Sequence, residues 1–159
     1  MKSNTIASAL FAAATVSGAV MKPRQANSFS VTNFTASCIP HSLLCTYEFA
    51  VITDPTSASP SGNPSPAQCS LMLQGPDYLP PVPLTGCAEV GAYSWAVDVL
   101  PDQGGLTLSV TTPQDSHTNF TGSYDVPADQ LVAEQHGAVI TQRYTGPSAF
   151  AVPIGTPSV

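Results

Sequence analysis

The chain has 159 residues, is 43% hydrophobic and only 9% charged, and sets four basic residues against ten carboxylates. That balance excludes a disordered chain, which combines low hydrophobicity with high net charge. It also excludes recognition of nucleic acid backbones and of anionic lipid headgroups, both of which depend on clustered Lys and Arg.

Lys2, the charge-free apolar run Ile6–Val20 and the small residues Ser17-Gly18-Ala19 read as a secretory signal peptide over residues 1–19. The run is shorter than the ~20 apolar residues that cross a bilayer. Residues 20–24 read as a pro-segment, with Arg24 as the cleavage point of a basic-residue protease and Gln25 as the new N-terminus. Residues 25–159 then form one secreted, extracellular β domain, long enough to build a core. Lys2, Lys22 and Arg24 leave with the removed segment, so the mature chain keeps one cation, Arg143, against all ten carboxylates, a formal charge of −9. Such repulsion favours solubility. No membrane association is expected after signal removal.

Alternation of β-branched and aromatic residues dominates the rest. From Ser28, the residues Phe29, Val31 and Asn33 fall on one face. Cys45, Tyr47, Phe49 and Val51 do the same in Cys45–Thr53, and Ser70–Gln74 is a short apolar strand. Tyr93, Trp95, Val97 and Val99 share a face, and Tyr93 and Trp95 read as core. Leu106, Leu108 and Val110 alternate with Thr107, Ser109 and Thr111. Phe120–Val126, Ala138–Tyr144 and an edge at Ala149–Val152 complete seven to eight strands, a pattern that predicts an all-β antiparallel sandwich or barrel. Residues 101–105 (PDQGG) and His136-Gly137 supply turns. Residues 54–68, dense in Pro, Ser, Gly and Asn, read as a long exposed loop. Pro127–Glu134 is the one helical candidate, a turn or two at most.

Four cysteines in an exported chain imply two disulfides. The preferred pairing is Cys38–Cys45 with Cys69–Cys87, each across a local connection. Loops of 8 and 19 residues would stabilise by roughly 2.5 and 3 kcal/mol in the chain-entropy account. The nested pairing, Cys38–Cys87 with Cys45–Cys69, closes longer loops and stays open on energetic grounds. In the stretch CIPHSLLC the first pairing clamps a connection between adjacent antiparallel strands. Zinc would need C-x-x-C spacing, and His41, His117 and His136 are scattered, so no metal is expected.

Two sequons, Asn33-Phe34-Thr35 and Asn119-Phe120-Thr121, mark exposed asparagines open to glycosylation. Hydrolytic chemistry finds no support. No G-x-S-x-G exists, and neighbours in Asp115-Ser116-His117 point to opposite faces of extended chain. Asp98 and Asp102 are the least implausible carboxylate pair for a glycosidase, against the simpler reading of solvated surface charge. Calcium-loop and phosphate-binding motifs are missing, so no cofactor is expected. Arg143 is expected to pair with a nearby carboxylate.

The stretches FSVTNFTASCIPHSLLCTYEF, YSWAVDV, GLTLSVTTP and NFTGSYDVPADQLV resemble small secreted fungal proteins of the family typified by the major Alternaria allergen, which includes effector-like members. The likeness runs from Ser28 to about Ala151, with CIPHSLLC its most specific piece. It implies a compact β-sandwich or barrel, extracellular residence and no established enzymatic activity, and no catalytic residue carries over. The resulting expectation is a non-enzymatic protein acting by surface recognition of a host or cell-wall protein or glycan. The alternatives are a barrel carrying a small apolar or phenolic ligand and, behind it, a hydrolase with dispersed carboxylates.

Overall fold

A computed structural model describes residues 28–53, 65–75, 77–88, 93–114 and 116–155. The segments expected as signal peptide and pro-segment (residues 1–24), Asp115 and most of the 54–68 loop lie outside them. Ten strands follow in chain order: β1 (Ser28–Cys38), β2 (Leu44–Thr53), β3 (Ala67–Gln74), β4 (Val82–Gly86), β5 (Ser94–Val99), β6 (Gly105–Pro113), β7 (Asn119–Pro127), β8 (Leu131–His136), β9 (Val139–Tyr144) and β10 (Phe150–Pro153). They form two antiparallel sheets. The first runs β3-β2-β1-β9-β8 with β10 also paired to β1, and the second runs β4-β5-β6-β7. The fold is therefore an all-β sandwich.

Two strands beyond the expected set are β4 and β8. β4 contains Pro83 and follows Pro80-Pro81, residues that discourage strand assignment. β8 begins where helix formers cluster. The helical candidate shrinks to one 3-10 turn at Ala128–Gln130, and Leu131 onward is drawn into pairing with β9. Tertiary pairing overrides local propensity there.

The alternation read from sequence builds the core because the two inner faces meet. Phe29, Val31, Tyr47 and Val51 from the first sheet and Trp95, Val97, Leu108 and Val110 from the second are all at most 1% exposed. Full burial of each large apolar side chain is worth about 1.5–3 kcal/mol. Phe49 meets the Trp95 ring edge-on, centroids 5.1 Å apart, and Tyr144 meets Phe34 likewise at 4.9 Å. Asn33 departs from its expected place. The β1–β2 register shifts between Thr32 and Thr35, and Asn33 sits at φ 54° in that bulge. It turns outward, and Phe34 takes the inward position in its stead. One inserted residue flips the facing of everything after it.

The outer face of the second sheet is polar and orderly. Thr107 donates to Asp125 at 2.7 Å, and Thr111 and Thr121 hydroxyls lie 3.1 Å apart across the β6–β7 pair. Cross-strand pairs of this kind each contribute about 0.2–1 kcal/mol. Both seams between the sheets are laced. On one side Cys69–Cys87 joins β3 to the residue after β4, and Ala88 N–H donates to Gln68 O at 3.0 Å. On the other, β10 pairs with β1 while Ile154 bridges Gly122 of β7.

The β5–β6 connection uses Asp102 at φ 57° and Gly105 at φ 125°. A Cβ on Gly105 would strike the Val126 carbonyl oxygen. Gly105→Ala is expected to cost about 1–3 kcal/mol, since both backbone angle and neighbour oppose a side chain. Urea unfolding measures it, and a loss below a few tenths would contradict the account.

Candidate functional site

The end of the molecule marked by CIPHSLLC is built by three segments. Cys38 and Cys45 are directly opposed partners in the β1–β2 ladder, and a disulfide joins them. Between them the Ser42 N–H donates to Ile39 O at 3.1 Å, closing a turn with Pro40 second and His41 third at φ 60°. Proline presets the second position of such a turn, and histidine is among the residues that tolerate positive φ. Leu44 N–H donates to Ser42 Oγ at 3.2 Å. The clamp and the turn together hold Leu43 out in water, 64% exposed.

The second segment follows β3. Gly75 N–H donates to Leu43 O at 2.9 Å. A Cβ on Gly75 would come within 2.8 Å of Cys45 Sγ, Pro80 Cδ and Tyr78 O, so only glycine lets the chain pass this close to the disulfide. Buried Tyr47 donates its hydroxyl to Pro80 O at 2.9 Å. The third segment is the β8–β9 hairpin, tied in by Gln142. Its backbone N–H donates to Asp77 O, and its buried side-chain Oε1 accepts from Leu79 N–H, each at 3.0 Å.

Where the three meet lies a shallow depression of about 380 Å³, lined by His41, Ser42, Leu43, Asp77 and Val139. The same segments also expose Ile39 (37%), Tyr78 (42%) and Ile140 (41%). Exposed apolar side chains thus stand beside a partly polar depression on a braced frame. Its sequence signal was faint. Leu43-Leu44 places two large apolar residues next to each other at a strand start, so they cannot both face the core.

The other candidates separate. Cys69 and Cys87 pair at the seam between the sheets. Asn33 and Asn119 are both exposed but belong to different sheets. Asp98 and Asp102 are exposed on β5 and its following turn. Arg143 pairs with Glu134, its Nε 2.7 Å from Oε1, and His136 Nε2 lies 3.7 Å from Glu134 Oε2. The Arg143 hydrogen bond holds the Glu134 carboxyl below its ordinary value. Among the described residues, no three His, Cys, Asp or Glu side chains gather as a metal site would require, and no helix is long and apolar enough to cross a membrane.

Two phenols titrate high. Burial, with Tyr124 adding a smaller repulsion, pushes Tyr144 from 10.0 up to about 12, and its hydroxyl donates to Pro147 O at 2.9 Å. Burial raises Tyr47 as well. A phenol that ionises less readily folded than unfolded adds stability that is fully present below pH 10 and is lost as pH climbs through its folded value. The melting temperature is therefore expected to fall from pH 10 toward 12, and less steeply in Tyr144→Phe. Identical slopes for the two proteins would contradict this.

The fold and this end define a two-sheet antiparallel sandwich laced by disulfides, with an apolar tip. No family model matches the sequence, and no curated protein matches it.

Proposed function

We propose that the chain is an exported, non-enzymatic recognition protein, effector-like or allergen-like in role, that engages a host or cell-wall partner through its clamped tip. The observation that carries the reading is the apolar surface of Ile39, Leu43, Tyr78 and Ile140 at the end where the Cys38–Cys45 bridge sits. Neighbouring exposed apolar side chains mark contact surfaces more often than lone ones do. The interior supports the same reading, because Trp95, Tyr47, Phe29 and Leu108 fill the space between the sheets that a carrier would leave open. With so few cations on the chain, a basic or neutral partner fits better than an acidic one.

The test immobilises oxidised protein and compares it with Leu43→Asp in capture from host apoplastic fluid and from cell-wall extract. Capture lost in Leu43→Asp, at unchanged melting temperature, supports the tip. Equal capture by both proteins, or none by either, overturns the proposal. One observation favours a carrier instead: the depression of about 380 Å³ falls within the size range of small-molecule sites. A phenolic compound that raises the melting temperature of the wild type but not of Leu43→Asp would select that reading.

A further inference from the structure

We propose that Asn33 carries an N-linked glycan whose first sugar seats in the depression beside it, on the outer face of β2 and β3. This inference is independent of the tip and its partner. Strand alternation alone would bury Asn33 with Phe29 and Val31. The bulge between Thr32 and Thr35 instead turns it into water, at a backbone angle, φ 54°, that asparagine tolerates and most residues resist. Phe34, the middle residue of the sequon, anchors the site. It is 2% exposed, packs on the Tyr144, Phe49 and Phe150 rings, and donates its N–H to Ser148 O at 2.8 Å. The acceptor amide is thus held on a fixed backbone. Next to it a depression of about 290 Å³ is lined by Asn33, Glu48, Phe49, Gln68, Cys69 and Ser70. Glu48, Gln68 and Ser70 are exposed there and offer acceptors, an amide and a hydroxyl, the complement of a sugar's hydroxyls and acetamido group.

In the transfer, Asn33 Nδ2 forms a C–N bond with the anomeric carbon of a polyisoprenyl-diphosphate oligosaccharide. The anomeric C–O bond breaks, the lipid diphosphate leaves with its electron pair, and the amide proton passes to the enzyme's base. Glycopeptide mass mapping of protein secreted from a eukaryotic host reads the result. Asn33 is expected to be modified in the wild type and bare in Thr35→Ala. Asn33→Gly, which keeps the positive φ and removes the acceptor, separates loss of the sugar from loss of the bulge and is expected to fold with a bare residue 33. Seating is read from amidase release of the glycan from native protein, expected to speed up at least fivefold in Gln68→Ala/Ser70→Ala. A bare Asn33 in the wild type, or a sugar persisting in Thr35→Ala, overturns the proposal. An unchanged release rate in the double variant overturns the seating.

Discussion

Cys45→Ser is expected to lower the melting temperature by about 10 °C and to reduce the secreted yield. Two effects combine. Cys38 and Cys45 close a six-residue connection, and opening it returns roughly 2.5 kcal/mol of conformational freedom to the unfolded chain. For a domain of this size, each kcal/mol shifts melting by about 4 °C. The variant also leaves a thiol and a hydroxyl at positions only 5% and 0% exposed, where neither reaches water. The bridge also guards register. Bulged at Asn33, β1 has no uninterrupted alternation to hold it against β2, and a slip by one residue would expose Tyr47 and Phe49. Scanning calorimetry checks the prediction, and unchanged melting would remove the clamp from the account.

Trp95 gives the largest core effect. Trp95→Ala is expected to cost about 3–5 kcal/mol, because a fully buried ring between Tyr47 and Phe49 leaves a cavity that the two sheets cannot collapse. Trp95→Phe is expected to cost well under half of that. Among the described residues the indole Nε1 has no hydrogen-bond partner, and a buried unpaired donor costs about 1–3 kcal/mol. Phenylalanine removes this donor while keeping an aromatic edge for Phe49. Urea unfolding followed by circular dichroism compares the two. A loss in Trp95→Phe as large as that in Trp95→Ala would contradict this account.

The sheets were readable wherever one face is buried and the other wet. Cys45–Thr53, Tyr93–Val97 and Leu106–Thr111 alternate and lie in or beside paired strands, whereas Val99, expected on the face of Trp95 and Val97, is exposed at the end of β5. The local disulfide pairing was also readable, and the structure decides it against the nested alternative, because β1–β2 pairing brings Cys38 opposite Cys45. Three features were hidden for physical reasons. The bulge at Asn33 appears only when β1 must pair with β10 at its start and β9 at its end. β8 is composed like a helix and becomes a strand through its partner. The tip depends on residues from 39 to 140, brought together by single hydrogen bonds that no local pattern announces. Chemistry was the least legible layer, since the sequence holds no spacing of the kind a metal or nucleophile imposes.

The last strand has a bearing on biosynthesis. Residues 150–155 complete both sheets at once, pairing with Ser28–Val31 on one side and with Gly122 and Thr121 on the other. The β1–β2 hairpin and its bridge need only the first stretch of the domain to emerge, so oxidation there can precede the rest. The sandwich itself stays open along one side until residues 150–155 have been made. In the interval Phe29 lacks the cover that Val152 later brings to it.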